Sequence, residues 1–459
     1  MNLVLISVLA YIAVQLAVVF LLARRPKNEE DYLLAGRSLG PWLGMFTVFA
    51  TWFGAETCIG SAGEAYRYGI EGVIADPFAY SIGIVAMGVF FAAPLWKRGL
   101  ITLADLFEQR YGPGVERVAA IIMIPTSVLW AAAQVRAFGQ VLASCSELGI
   151  FAATTLAAVV VIAYTAIGGM WADAVTDLMQ GIVLILGVLA IGVLFVALDG
   201  ASFLQQLPAS RLHVASERSS WEILEAFAVP IFSTMAAQEL ASRTLSVRNA
   251  ALSRNVTVAA GFLYLLIGLI PVALGLAGAA FIGPNVEPER VLPEFAEKYL
   301  STPFYILFLG ALVSAILSTL SGALLVAGSL AAHNVIIPLR PNMRDAIKLR
   351  LDRSAVVVFG VISYAIALSS ESVYGLVKEA SSLGSAGVLV VILFALWGQR
   401  VGRAASAHAA LMVSVVVYLL GAHLFEWRCP YLISLAAALG AYLLVALIAP
   451  AVHPVRSVA

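Results

Sequence analysis

The sequence predicts an all-α protein that crosses a membrane many times. Of its 459 residues, 61% are hydrophobic and only 12% are charged, whereas soluble domains are about 25% charged. Apolar windows of about 20 residues, the length that spans a bilayer, recur along the whole chain. A soluble fold could not bury so much apolar surface. The sequence therefore predicts one polytopic transmembrane domain with about 13 helices.

The apolar windows locate the predicted spans, which we number in chain order. They fall at residues 2–23, 41–66, 73–96, 117–145, 150–169, 174–198, 221–242, 256–282, 302–337, 353–374, 377–398, 405–425 and 429–451. The first window is too long for a signal-peptide core and has no basic residue before it, so we expect it to be retained as a helix.

The distribution of basic residues predicts the orientation. Alternating the loops from an external N-terminus places 19 Lys and Arg residues on the cytoplasmic side and 7 outside, with Arg136 inside span 4. Because cytoplasmic loops are enriched in basic residues, we expect the N-terminus outside and the C-terminus in the cytoplasm. The expected location is a plasma or inner membrane.

Several other functional classes lack support in the sequence. The 27 basic and 27 acidic side chains cancel, so nothing indicates nucleic acid as a partner. Cys58, Cys145 and Cys429 have no metal-ligand spacing and predict no disulfide. The Gly168-Gly169 pair lacks the lysine of a phosphate-binding loop. We see no nucleophile–base pair, and we do not expect an enzyme.

The second span is interrupted by residues that disfavour a membrane helix. Its sequence MFTVFATWFGAETCIGSAG contains Thr51, Gly54, Glu56, Thr57, Gly60 and Gly63. Glycine weakens a helix, and a discontinuous helix at membrane depth is tolerated where it lines a cavity or is buried. Tight glycine packing on a neighbour is the alternative. Glu56 and the threonines favour a binding site, with the helix unwound around Ala50–Gly54.

A hydroxyl-rich segment follows in span 9, AILSTLSGALLVAGS. Ala315, Ser318 and Thr319 lie at i, i+3 and i+4, on one face of a helix. Two hydroxyls and a carbonyl on that face are ligands that suit a small hard cation. The alternative is that the hydroxyls bond back to their own helix carbonyls, and this segment alone favours that alternative.

Four further charged positions lie within apolar segments. Asp76 precedes Pro77 at the start of span 3, where a helix cap and a substrate contact are equally compatible with the sequence. Asp173 is expected at the membrane interface, as a cap, whereas Asp177 lies deeper and needs a partner. Arg136 is expected to form a structural ion pair or to bind a substrate carboxylate.

Together these segments resemble the sodium:solute symporter family, which includes sodium/proline and sodium/galactose symporters. The resemblance runs from about Asp31 to the end of span 11. It rests on five motifs in order: DYLLAGRSLGPW, GAETCIGSAG, TLADLFEQRYG, AIGGMWADAVTDLMQ and AILSTLSGALLVAGS.

The resemblance implies the LeuT-type fold, with two inverted five-helix repeats in residues 41–198 and 221–398. Residues 1–40 would then hold a peripheral first helix and a cytoplasmic loop, and residues 405–459 two peripheral helices and a short tail. Spans 2 and 7 would be the broken ones. Span 7 has Pro230 near its middle, and interrupted segments in corresponding positions of two repeats indicate the binding site.

The resemblance also implies site residues. The sodium ligands would be the carbonyls of Ala50, Phe53 and Ala315 and the hydroxyls of Ser318 and Thr319. Asp177 would take part in cation release. The substrate cavity maps onto Thr57 and Asp76, with Glu56 nearby, and Trp52 replaces a residue that is often polar in relatives.

The sequence therefore predicts a secondary active transporter that carries a small polar organic solute with Na⁺ as the coupling ion. Acidic Glu56 and Asp76 with basic Arg136 suggest an amino-acid-like zwitterion. Proton coupling, a transporter-like sensor and a channel are the alternatives. The expected partners are the solute, sodium and membrane lipid.

Overall fold

The computed structural model describes residues 3–22, 26–144, 146, 148–213, 219–340, 342–370, 372–398 and 400–448. These residues are almost entirely helical; none of them forms a strand, and one isolated bridge joins Leu39 to Val247. The predicted all-α class is confirmed. Cys145 and the predicted tail lie outside the described residues.

The described residues of the first half form eleven α-helices, with 3₁₀ and π segments between them. They are α1 (Leu3–Leu22), α2 (Glu29–Leu34), α3 (Pro41–Trp52), α4 (Ser61–Tyr68), α5 (Tyr80–Ala86), α6 (Ala93–Trp96), α7 (Ala104–Tyr111), α8 (Pro113–Ser144), α9 (Ile150–Ala197), α10 (Gly200–Gln205) and α11 (Ala209–Leu212). The π segments Glu56–Gly60, Ile74–Ala79 and Met87–Ala92 extend the helices around α4 to α6.

The second half contains ten more. They are α12 (Ser220–Ala236), α13 (Gln238–Leu245), α14 (Ala250–Ile282), α15 (Val291–Tyr299), α16 (Thr302–Ser329), α17 (Asp345–Ser369), α18 (Val373–Ser382), α19 (Ser385–Leu396), α20 (Ala404–Leu419) and α21 (Pro430–Ile448). A π segment, Leu330–Ile336, continues α16.

The number of membrane-crossing helices depends on how the broken ones are counted. Within the described residues, nine helices are long and apolar enough to cross a membrane, or ten when the bent pair α12 and α13 counts as one span. Two shorter apolar helices, Ile6–Val18 and Ile150–Ala163, accompany them. The multi-pass architecture is confirmed, and the count of thirteen stays a prediction.

Two helix breaks shape the fold outside the second predicted span. The predicted separate spans 5 and 6 form one helical run, α9, interrupted at Gly169, whose φ is +63°. A Cβ at Gly169 would lie 2.6 Å from the Tyr32 ring. Glycine is required there because a side chain would clash with Tyr32 and because other residues rarely adopt a positive φ. Helices α12 and α13 meet at 44°, with the break at Ala237 rather than near Pro230.

Helix α16 forms the centre of the bundle. Every residue from Phe308 to Ser329 is buried, and the helix packs against α3, α8 and α9. A helix that is buried all round needs internal partners for its polar groups. The hydroxyls of α16 therefore meet other helices, with Thr319 against α3 and Ser318 and Ser321 against α9.

Candidate functional site

The break in the second predicted span lies at Phe53 and Gly54. Helix α3 ends at Trp52, and Phe53 leaves helical geometry with φ −79° and ψ 76°. The Gly54 N–H bonds to the Trp52 carbonyl at 2.9 Å instead of to that of Ala50. In a continuous helix it would bond four residues back. The Ala50 carbonyl is thereby released toward a neighbouring helix.

Glycine at position 54 allows that neighbour to approach. A Cβ there would lie 2.8 Å from the Thr319 hydroxyl oxygen and 3.0 Å from the Gln134 side-chain carbonyl. Gln134 in turn accepts a hydrogen bond from the Ala55 N–H at 3.1 Å, so it satisfies a donor that the break leaves without a helical partner. The sequence analysis did not identify Gln134, because a lone Gln in an apolar helix carries little signal.

Three of the predicted sodium ligands meet beside this break. The Thr319 hydroxyl lies 3.2 Å from the Ala50 carbonyl oxygen and 3.0 Å from that of Ala315. Ser318 is fully buried one residue away, and Phe53 forms the break itself. The contact with Ala315 is a hydrogen bond from the hydroxyl to its own helix, which is the alternative considered for this segment in the sequence. The Thr319 hydroxyl therefore contacts backbone carbonyls of both α16 and α3.

Asp177 contacts this group directly. It is fully buried, and its two carboxylate oxygens accept hydrogen bonds from the hydroxyls of Ser318 and Thr47. The carboxylate thereby joins α9 to both α16 and α3. A carboxylate one hydroxyl away from a cation site supplies negative charge that favours the bound cation.

A second buried carboxylate contradicts two expectations. Asp173, expected at the interface as a cap, is buried and accepts hydrogen bonds from Arg243 and from the Ser321 hydroxyl. Arg243 had been assigned to a cytoplasmic loop, yet none of its side chain is exposed. Its Nε also donates to the Thr51 hydroxyl at 2.9 Å.

The reason for the difference is the length of α13. This helix continues to Leu245, past the end of the predicted span, and carries Arg243 inward. Glycine at position 322 makes room for the guanidinium, because a Cβ there would lie 2.6 Å from an Arg243 nitrogen. Arg136 is therefore not the only basic residue inside the helices.

Three of the predicted substrate residues form a separate polar cluster with Tyr264. The Asp76 carboxylate accepts hydrogen bonds from the Thr57 hydroxyl at 2.8 Å and the Tyr264 hydroxyl at 2.9 Å. Thr57 and Tyr264 are 2.7 Å apart, and Glu56 is buried close by. The hydrogen bonds to Asp76 thus join its segment to that of Thr57 and to α14. Tyr264, a single Tyr in the apolar helix α14, was not identified from the sequence.

Trp52 lies elsewhere, on the wall of a cavity between helices. The cavity is enclosed by α3, α8, the α12–α13 break and the α18–α19 break. Its lining includes Trp52, Trp130, Gln238, Glu239, Ser381 and Ser385. The Trp52 and Trp130 rings are 5.3 Å apart, and Tyr80 is 6.3 Å from Trp130. Tyr80 also hydrogen-bonds Ser381 at 2.8 Å. Because Tyr80 lies four residues after Asp76, it connects the cavity wall to the segment that carries Asp76.

Arg136 is placed away from the cavity lining. It donates a hydrogen bond to the backbone carbonyl of Ser370, the residue that ends α17. A cation is favourable at a helix C-terminus because the terminal carbonyls carry partial negative charge. This contact favours the structural role that the sequence analysis considered for Arg136.

Comparison with known proteins identifies the family and the fold. The model of the sodium:solute symporter family matches residues 32–414. The human high affinity choline transporter 1 is 29% identical over 83% of this chain and 70% of its own length. The Drosophila melanogaster choline transporter is 28% identical over 80% of the chain, which spans only 61% of that relative. The Escherichia coli sodium/pantothenate symporter is 24% identical over 94% and 92%.

Two solved structures share the fold. A Na⁺-coupled sialic acid symporter, in a substrate-bound outward-open state, superimposes with a TM-score of 0.84 at 17% identity, covering 98% of each chain. MhsT in complex with L-phenylalanine gives a TM-score of 0.58 at 15% identity, over 90% and 99%. The fold is of the LeuT type. The chain belongs to the sodium:solute symporter family, whose coupling ion is Na⁺.

Proposed function

We propose that this protein imports a small polar organic solute together with Na⁺ by alternating access. The observation that carries the proposal is the meeting of the released Ala50 carbonyl with Thr319 and Ala315. The ligands come from α3 and α16, which belong to different predicted repeats. A bound ion would fasten the repeats together, and its loss would allow them to separate, which links sodium to the conformational step.

The proposed sodium shell has five oxygens, the carbonyls of Ala50, Phe53 and Ala315 and the hydroxyls of Ser318 and Thr319. Oxygen donors of this kind suit a hard cation. With the ion bound, the Thr319 hydroxyl would turn its lone pair toward the ion. Asp177, through Ser318, supplies the charge that attracts the ion and then receives it on release.

A double substitution tests this site. Replacing Ser318 and Thr319 together by Ala should abolish Na⁺-dependent thermal stabilisation and Na⁺-dependent uptake while the protein remains folded in detergent. The matched control is Ser329→Ala, a buried hydroxyl farther along the same helix, which should leave sodium dependence intact. Sodium dependence that survives the double substitution would contradict the proposed site.

The cavity lining indicates the chemistry of the solute. Trp52 and Trp130 line the cavity. The faces of their rings attract positive charge, and cation–π contacts with Trp are the strongest of this type. Glu239, on the same lining, adds a carboxylate, whereas Arg136 is engaged by the Ser370 carbonyl. Choline, named for several relatives, is a quaternary ammonium compound. We therefore propose an organic cation with an ammonium group, in preference to a solute recognised through its carboxylate.

A ligand screen by thermal shift tests the solute class. The purified protein is heated with choline, glycine betaine, an L-amino acid and a neutral sugar, each with and without Na⁺. A ligand at 100 times its Kd stabilises by about 2.7 kcal/mol. The expected result is stabilisation by choline that requires Na⁺ and is lost in Trp130→Ala. Stabilisation by the sugar alone would exclude an ammonium compound as the recognised group.

A further inference from the structure

The first helix carries a polar face that an apolar anchor would not need. Ser7, Tyr11 and Gln15 are spaced four residues apart in α1, LVLISVLAYIAVQLAVVFLL, and therefore share one face. Gln15 is only 2% exposed, whereas Val14 is 54% exposed on another face. Polar side chains in a membrane helix face protein because lipid offers them no hydrogen bonds. The polar face of α1 is thus turned to the bundle.

Four side chains form a continuous hydrogen-bonded chain across three helices. The Gln180 amide donates to the Gln15 carbonyl oxygen at 2.9 Å, and the Gln15 amide donates to the Tyr11 hydroxyl at 2.5 Å. Tyr11 hydrogen-bonds Ser314, which itself donates to the Gly310 backbone carbonyl at 2.7 Å. Since the Ser314 proton is committed to Gly310, Tyr11 must be the donor to Ser314. Every donor in the chain therefore points the same way, from α9 through α1 to α16.

This chain joins the same two helices as the Asp177–Ser318 contact, about one turn away. Gln180 follows Asp177 by three residues on α9, and Ser314 precedes Ser318 by four residues on α16. Ser314 is also adjacent to Ala315, whose carbonyl is a proposed sodium ligand. Side chains of α1 thus bridge α9 and α16 next to the proposed cation site and hold the distance between these two helices.

We propose that Tyr11 and Gln15 are positioning residues for the sodium site, although neither contacts the ion. The inference rests on the sodium site proposed above. Helix α1 lies outside the two predicted repeats, but through Ser314 and Gln180 it holds α9 and α16 at the spacing at which Asp177 reaches Ser318. Removing the Tyr11 hydroxyl or the Gln15 amide loosens that spacing and weakens sodium binding.

The test is a Na⁺ titration of thermal stability in detergent, with K⁺ keeping the ionic strength constant. The variants are Tyr11→Phe, which keeps the ring, and Gln15→Leu, which keeps the volume. We expect the Na⁺ concentration at half-maximal stabilisation to rise by about threefold or more in each, with the melting temperature in K⁺ alone changed little. Val14→Ala, on the exposed face of α1, is the matched control and should titrate as the parent protein does.

The outcomes separate this inference from the proposed function. A lower melting temperature in K⁺ with an unchanged Na⁺ midpoint would reduce Tyr11 and Gln15 to structural anchors and overturn the inference. If Ser318→Ala with Thr319→Ala removes the sodium response while both α1 variants keep the parent midpoint, the sodium site stands and only the positioning role fails. If that double variant titrates normally, the proposed site fails instead.

Discussion

Arg243 is held inside the helix bundle by a carboxylate from α9 and a hydroxyl from α3. Its position at the end of an apolar window predicts a loop, but the side chain is completely buried against Asp173 and Thr51. Local hydropathy depends only on residues close in sequence. It therefore cannot detect that a residue near a helix end is covered by other helices. The same limit applies to Gln134 and Tyr264, whose partners are distant in sequence.

The Arg243–Asp173 pair gives the first prediction. Asp173→Asn leaves a buried guanidinium without its counter-charge, and breaking a buried pair in this way costs about 3–5 kcal/mol. Replacing both residues, with Arg243→Met and Asp173→Asn, removes the uncompensated charge and should restore part of the loss. The melting temperatures of the single and double variants in detergent measure this. Equal losses in both would show that the charge pair is not the cause.

Asp76 gives the second prediction. Asp76→Asn keeps the size of the side chain but removes its negative charge. It also replaces one of the two carboxylate oxygens, which accept hydrogen bonds from the Thr57 and Tyr264 hydroxyls, by an amide NH₂ group that can only donate. We expect the uptake rate to fall more than the amount of folded protein in the membrane. Tyr264→Phe, which removes one donor and keeps the charge, is the comparison. Normal solute affinity in Asp76→Asn would remove Asp76 from the binding residues.

Among the elements, the broken helix was the most predictable feature. The glycines and polar residues of MFTVFATWFGAETCIGSAG indicate a break, and the structure places it at Phe53 and Gly54, at the end of the expected interval. The second break was expected near Pro230 and lies at Ala237. Proline removes one backbone hydrogen bond and crowds the preceding turn, but α12 continues through Pro230 to Ala236, so the presence of proline does not fix where a helix ends.

The close approach of α16 to the break in α3 can be tested at Gly54. In Gly54→Ala the new Cβ would lie 2.8 Å from the Thr319 hydroxyl oxygen, so α3 and α16 must move apart. Overpacking of this kind typically costs 1–3 kcal/mol, and we expect the half-saturating Na⁺ concentration to rise by about tenfold or more. Gly440→Ala, in a helix where a Cβ meets nothing within 4 Å, is the control. An unchanged sodium dependence would show that the close approach at Gly54 is not needed.

At the scale of the whole molecule, composition and the ordered motifs were sufficient to predict the class, the family and the coupling ion. They were not sufficient to group the predicted substrate residues. Trp52 lies on the cavity wall, whereas Thr57 and Asp76 lie in the cluster with Tyr264. Residues on either side of a helix break point in directions that depend on the break geometry, and sequence spacing does not encode those directions.

The orientation in the membrane is the last prediction. Burial of Arg243 removes one residue from the basic side, and the remaining excess of basic residues still favours the N-terminus outside and the C-terminus inside. Lys27 and Glu287 are both exposed and lie in loops predicted on opposite faces. In a variant without native cysteines, a membrane-impermeant maleimide added to intact cells should label Glu287→Cys, and label Lys27→Cys only after the membrane is opened. Labelling of both from outside would mean that the number of spans between them is even, and the thirteen-span topology would have to be revised.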